Sequence, residues 1–337
     1  MGQVVVEGGI RSIIRLRAWK LALSGPTVYW YFPIFFVLLS THQSVSPIGL
    51  TALFFALMLT ASWGFLINDL FDREADAKAG RVDASHGHGL SKSSMWMLVL
   101  STAILSWVIV FLIGGGLVFK LPLAIDYIVA TMYSATPMKL KVRGFWGFLA
   151  NSLIERPLFI LVFLFYMNYF TYETVLLPVL MELTWSVFKH QAADVKEDAA
   201  GNVKTFAVSL GEKISMKIVN LFLNPLSFLS LLLLVVISWI GITELRLELL
   251  ACFAFILIGG IAAVVAERAG KITKYITPTD PPYIIFLNLA YRFVLLPILA
   301  LGILVYNVSY FPLVVLLVLT LSYHAVAYGK LAKYVLS

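Results

Sequence analysis

The residues Asn68-Asp69-Leu70-Phe71-Asp72-Arg73-Glu74-Ala75-Asp76 close a long apolar run. On a helix, Asn68, Asp72 and Asp76 recur every four residues and stack on one face. Three oxygen-bearing side chains in a row repel one another unless a cation lies among them. An all-oxygen set suits Mg2+, which keeps some of its waters and completes its shell with phosphate oxygens. A second cluster, Asp194-Val195-Lys196-Glu197-Asp198, repeats the four-residue spacing after another apolar run. Carboxylates at a helix C-terminus oppose the macrodipole, so Asp72, Asp76 and Asp198 occupy places that call for a compensating ligand. Charges also gather at helix ends because water is there, which accounts for single charges but not for paired spacing. Two acidic faces at the mouths of two helices read as a site for a metal-bound diphosphate.

A third segment runs Tyr133-Ser134-Ala135-Thr136-Pro137-Met138-Lys139-Leu140-Lys141-Val142-Arg143-Gly144. Pro137 stops or kinks a helix and leaves Lys139, Lys141 and Arg143 in a loop. Lysine and arginine hold phosphate oxygens and stabilise a departing diphosphate. Taken alone, the patch equally suits a basic anchor on the inner side of a membrane.

The elements that must position these groups are membrane helices. Of 337 residues 61% are hydrophobic and 13% charged, against about 25% charged in soluble domains. Apolar runs long enough to cross a bilayer read as helices at roughly 18–39, 47–70, 94–118, 121–138, 146–168, 172–192, 215–240, 245–266, 283–306 and 309–329. The net charge of +7 does not indicate nucleic acid here, because its distribution follows topology. With ten alternating helices, 20 of the 25 basic residues fall on one side and only Lys120 and Arg246 on the other. The positive-inside rule then places both termini and both acidic loops in the cytoplasm. One of the last two spans has the alternative of being re-entrant. The single cysteine, Cys252, excludes an internal disulfide and reads as a small buried residue. No cleavable signal peptide is evident in the first ~17 residues.

Together the three segments resemble the UbiA superfamily of intramembrane prenyltransferases. Its first motif, Asn-Asp-x-x-Asp-x-x-x-Asp, is matched by Asn68, Asp69, Asp72 and Asp76. Its second, Asp-x-x-x-Asp followed by a glycine and a threonine, is matched by Asp194, Asp198, Gly201 and Thr205. Tyr133 to Arg143 correspond to the family's Tyr-Ser-x-x-Pro and following basic residues, and the likeness spans roughly residues 15–306. It implies an all-α polytopic bundle of nine or ten transmembrane helices around a central cavity open sideways to lipid, capped on the cytoplasmic side. Residues 1–337 would form one domain, with two related halves at about 18–140 and 146–266 followed by C-terminal helices.

By matching position, Asn68, Asp72, Asp76, Asp194 and Asp198 would hold Mg2+, with Asp69 and Tyr133 in support. Lys139, Lys141 and Arg143, and also Lys78, Arg81 and Lys204, would contact the diphosphate. The implied activity is Mg2+-dependent transfer of an isoprenyl group from an isoprenyl diphosphate to an aromatic or other lipophilic acceptor. One departure keeps a membrane-embedded terpene cyclase in play as the alternative. After the first motif many members carry Arg-Pro, whereas this chain reads Gly80-Arg81-Val82-Asp83. His86 and His88, two apart with no further ligand nearby, make a poor zinc site. Asp126, Glu155, Arg156, Glu182 and Arg292 fall in or near the spans, where charges usually face the interior and pair. A transporter would place carboxylates along its path near the midplane.

Overall fold

A computed structural model describes residues 13–14, 16–24, 27–78, 85, 87–201, 203–269, 279 and 281–336, with side chains described except at 23, 24, 75, 76, 78 and 327–336. In chain order the helices are α1 Arg17–Ser24, α2 Thr27–Thr41, α3 Pro47–Lys78, α4 Lys92–Leu112, α5 Lys120–Ser134, α6 Phe145–Glu155 and α7 Pro157–Tyr166. There follow α8 Glu173–Thr184, α9 Val187–Ala193, α10 Val195–Ala200, α11 Phe206–Leu210 and α12 Glu212–Ile218. The remaining helices are α13 Asn224–Gly241, α14 Arg246–Arg268, α15 Pro282–Ala290, α16 Leu296–Tyr306 and α17 Phe311–Leu336. Among the described residues there is no strand, only one isolated bridge, Gly144 to Thr205.

Hydrophobicity sorts the helices by depth in the bundle. In α2 every residue from Thr27 to Leu39 is buried, including Trp30, Tyr31, Phe32, Phe35 and Phe36. A helix apolar on all faces belongs at the centre. By contrast α4 exposes Met97, Leu100, Ile104, Leu105 and Phe111, and α14 exposes Leu247, Leu250, Phe255 and Ile258. Continuous apolar faces of this kind suit lipid rather than water. Eight described stretches are long and apolar enough to cross a membrane: Arg17–Thr41, Pro47–Glu74, Lys92–Leu112, Phe145–Tyr166, Glu212–Gly241, Arg246–Arg268, Pro282–Tyr306 and Val308–Val326. Of the ten expected spans, eight meet that measure of length and apolarity among the described residues. Helices α5 and α8, with 15 and 12 residues, fall short of the ~20 that a bilayer needs.

Contacts between loops define two ends of the bundle. At one end His42 pairs with Glu244 at 3.2 Å, Tyr306 donates to the His42 carbonyl, and Tyr310 donates to the Val45 carbonyl. The rings of Phe119 and Tyr166 meet at the same end, where Gly49 lies against the Tyr166 hydroxyl. The three segments singled out for chemistry lie at the other end. Helix α3 has 32 residues, about 48 Å of helix against a hydrocarbon core of about 30 Å. Its last turns, which carry Asn68 to Asp76, thus project beyond the apolar thickness. The helix was expected to stop near residue 70; it continues to Lys78.

Two expected spans are broken, and the breaks face each other. Helices α6 and α7 part at Arg156, whose backbone is non-helical (φ −140°, ψ −50°) before Pro157. Helix α8 ends at Thr184, so the run expected over 172–192 is interrupted at Trp185. Arg156 donates to Glu182 at 2.9 Å and to Glu155 at 3.0 Å, and its guanidinium lies 5.0 Å from the Tyr29 ring centre. The Glu182 carboxylate in turn accepts the Val187 amide at 3.0 Å, satisfying a donor at the start of α9. Arg292 reaches the Tyr29 hydroxyl at 2.8 Å and His324 at 2.6 Å. Glu182 thus pairs with Arg156, as expected of a charge within a span, while Arg292 contacts a phenol and an imidazole. Cys252 is buried, as expected.

Two π-helical turns, Val219–Leu223 and Tyr291–Leu295, precede prolines at 225 and 297. A proline lacks the N–H of a regular helix and clashes with the carbonyl four residues back, which a widened turn relieves.

Replacing Arg156 by leucine leaves Glu182 buried without its partner. The variant is expected to lose about 3–5 kcal/mol of stability, read as a shifted denaturation midpoint in detergent micelles.

Candidate active site

The first acidic face is built on the protruding end of α3. Asn68 Oδ1 accepts Ser134 Oγ at 3.3 Å and Lys141 Nζ at 3.1 Å, and the same ammonium forms an ion pair with Asp72. One buried cation therefore already bridges the amide oxygen and the carboxylate, side chains four apart on one helix face. Asp69 points elsewhere on the helix. It is buried and held by the Arg17 guanidinium, with Nε 3.1 Å from Oδ1, so it fastens α1 to α3 rather than joining the oxygen face. Arg73 donates to the Leu90 carbonyl at 2.6 Å and anchors the return of the loop. The side chains of Asp76 and Lys78, together with Arg81 and His86, lie outside the described residues.

Lys141 is delivered by a tight turn. Ser134 ends α5, Lys139 takes a left-handed conformation (φ 37°), and a 3-10 turn covers Leu140–Val142. Gly144 follows with φ 54° and ψ −115°, a region that only glycine enters readily. Its amide donates to the Lys204 carbonyl at 3.1 Å and so joins the basic turn to the segment after the second acidic cluster. Gly147 then packs directly against the turn: a Cβ there would stand 3.0 Å from Lys141 Cα and closer still to the Leu140 carbonyl oxygen. Of the other predicted phosphate contacts, Lys139 is half-buried, whereas Arg143 is exposed and donates to the Pro137 carbonyl at 3.1 Å. The Lys204 side chain is exposed.

The second cluster lies on short helices under an aromatic platform. Asp194 sits at the joint between α9 and α10, and its carbonyl accepts the Asp198 amide at 2.8 Å, one helical turn on. Phe148, Phe188 and Phe206 pack with Ala192, Val195 and Ala207 beneath it. Here the macrodipole argument is corrected: Glu197 and Asp198 lie in the first turn of α10, where the backbone favours negative charge. Asp194 is exposed and Asp198 half-buried.

The Gly144–Lys204 bond and the Gly144–Thr205 bridge set the basic turn beside the segment that follows the second acidic cluster, so both motifs lie at one end of the bundle. Among the described residues no three His, Cys, Asp or Glu side chains alone form a metal cage. An oxygen pair already spanned by an ammonium fits a cation such as Mg2+, which typically takes one or two carboxylates plus substrate phosphates.

Beneath the oxygen face opens a cavity of about 250 Å3, running from Asn68, Tyr133 and Ser134 to Thr60, Asp126, Asn151 and Glu155. Asp126 lies in the middle of α5, only 3% exposed, and its Oδ1 has no hydrogen-bond partner. A polar atom buried in this way costs about 1–3 kcal/mol. The expectation that charged residues within spans pair off fails at this one: among the described residues no cation meets it. Sequence offered a signal for it, a lone carboxylate in an apolar run, but not its place beside the site.

The profile of the UbiA prenyltransferase family matches residues 28–289, more than half of the chain. The chain belongs to the UbiA prenyltransferase family. Solved structures agree on the fold. A UbiA homolog from Archaeoglobus fulgidus bound to GPP and Mg2+ superposes with a TM-score of 0.55 at 16% identity, covering 86% of this chain and 99% of that one. The same homolog bound to DMAPP and Mg2+ gives a TM-score of 0.54 at 18% identity, over 86% and 99% of the two chains. No curated protein matches the sequence. With family and helices together, this UbiA chain is an integral, multi-pass membrane protein.

Gly147→Ala should push the 140–142 turn aside and release Lys141 from Asn68 and Asp72. Faster hydrogen exchange confined to the amides around 140–148, with the opposite end unchanged, is the expected readout.

Proposed function

We propose that this UbiA protein binds an isoprenyl diphosphate together with Mg2+ and transfers the isoprenyl group to a lipophilic acceptor within the membrane. The observation that carries this reading is the meeting of both acidic motifs and a buried lysine above one cavity. The family match supports it, as do the GPP, DMAPP and Mg2+ complexes of the structural neighbours.

Asn68 and Asp72 would hold the metal from α3, with Asp76 completing that face, while Asp194 and Asp198 approach from the second motif. When bound, Mg2+ supplies Lewis-acid neutralisation of charge on the diphosphate oxygens. Lys141 lies at the oxygen face and can turn from Asp72 to a phosphate oxygen, a charge-assisted contact. Lys139, Arg143 and Lys204 surround the same mouth and add positive potential, and Lys78 and Arg81 are assigned there by motif. Tyr133 lines the cavity beneath these groups and would support the bound diphosphate.

As the C1–O bond of the substrate breaks, its electron pair leaves with the diphosphate. The acceptor then bonds to C1 and gives up one proton. The cavity walls include the rings of Phe65, Tyr133 and Phe159, each able to stabilise an allylic cation by about 0.5–2 kcal/mol. The charge asymmetry of the loops supports an orientation with this end in the cytoplasm.

Asp72→Ala and Asp198→Ala are each expected to lower turnover by about a hundredfold or more with helix content unchanged. Chelation should abolish turnover and added Mg2+ restore it. Mass spectrometry of lipophilic products from membranes supplied with a panel of diphosphates and acceptors provides the assay. Near-normal turnover in both variants rejects the site.

A further inference from the structure

The cavity under the oxygen face holds one deeply buried carboxyl oxygen that no donor among the described residues meets. Several polar side chains around it are already occupied. Thr60 Oγ meets Ser106 Oγ at 2.8 Å and the Tyr127 hydroxyl at 3.2 Å, Ser134 donates to Asn68, and Glu155 accepts from Arg156. Asp126 alone presents a buried carboxyl whose Oδ1 has no partner, on the cavity wall and without a cation beside it among the described residues. Intramembrane carboxylates are costly and mark function by default.

Depth selects what Asp126 can touch. On α5 it lies eight residues from Ser134, and on α3 Thr60 lies eight residues from Asn68. Eight residues of helix are about 12 Å. Asp126 is therefore two turns below the diphosphate end, beyond the reach of phosphate or metal, but within the span of a ring-sized molecule lying below C1. An isoprenyl tail is a poor occupant of that wall, because an alkyl chain would leave the carboxyl oxygen unsatisfied. A molecule carrying a hydrogen-bond donor satisfies it.

We propose that Asp126 is the specificity residue for the second substrate, accepting a hydrogen bond from a hydroxyl group of a ring-sized acceptor that fills the cavity beneath the diphosphate. The inference rests on the transferase reading above and deepens it. A site built to meet a substrate hydroxyl discriminates strongly against an analogue lacking the donor. Gly64 offers a second handle: it also lines the cavity, and a Cβ added there would meet no atom within 4 Å. Gly64→Leu therefore takes up cavity space while leaving the Asp126 side chain in the sequence.

The test uses the full chain in nanodiscs with Mg2+ and geranyl thiodiphosphate, an unreactive diphosphate probe. Wild type, Asp126→Leu and Asp126→Asn are first titrated with this probe, and all three are expected to bind it within about twofold of one another. That step also reports folding. In the loaded protein, 1-naphthol and its methyl ether are then compared as acceptor probes by equilibrium binding. Wild type should favour the naphthol by about tenfold or more. Asp126→Leu should weaken naphthol binding by that factor and lose the discrimination, Asp126→Asn should retain part of it, and Gly64→Leu should exclude both probes.

Wild type that binds the two probes alike, or fails to bind either, overturns the assignment of Asp126. So does Asp126→Leu with unaltered preference. Wild type that does not bind geranyl thiodiphosphate with Mg2+ overturns the transferase reading instead. With authentic geranyl diphosphate and no acceptor, release of a cyclic hydrocarbon at similar rates from wild type and Asp126→Leu also overturns the proposal.

Discussion

Oxygen atoms stacked on one helix face at the edge of an apolar bundle need positive charge, and in this protein Lys141 supplies it to Asn68 and Asp72. Coulomb repulsion among such groups is strong where water is partly excluded, so the lysine cannot be left to a mobile loop. The chain holds it with short-range devices: the left-handed Lys139, the glycine-only backbone of Gly144, and the close approach of Gly147 to the turn. The Gly144 amide on the Lys204 carbonyl extends the same constraint to the second motif.

The interior solves a different problem. Helices α6 and α8 stop short within the bundle, and each break exposes backbone groups that lipid cannot satisfy. Arg156 and Glu182 fill that need from both sides, with Tyr29 beneath the guanidinium and Glu182 taking the Val187 amide. Interrupted helices at membrane depth are tolerated where they are enclosed by protein or line a cavity. Glu155, at the first break, does line the cavity below the oxygen face. The polar centre and the reaction chamber are therefore one construction, in which the broken helices make room and the ion pair keeps them together.

Much of the site was legible from the sequence because it is written in local periodicity. The spacing of Asn68, Asp72 and Asp76 follows from 3.6 residues per turn, and the all-helical membrane bundle follows from the length and composition of the apolar runs. Asp198, expected at a helix C-terminus, lies at a helix beginning instead, because the run read as one helix is cut at Trp185. Asp69, part of the motif, turned out to serve Arg17. A residue's helix says which face it occupies, but not which neighbour meets that face.

By itself, the sequence determined what repeats along the chain: helices long enough for lipid, carboxylates four apart, a proline and glycines that force a turn, basic residues gathered on alternate loops. These are one-dimensional patterns whose physics acts within a few residues. Tertiary structure alone decided which of those groups meet. It set Lys141 on Asn68, joined the basic turn at Gly144 to the second acidic segment at Lys204, paired Arg156 with Glu182 across two breaks, and left Asp126 facing a cavity. Such contacts join residues tens to hundreds of positions apart. They depend on how side-chain volumes and buried charges are accommodated together, which spacing along the chain does not encode.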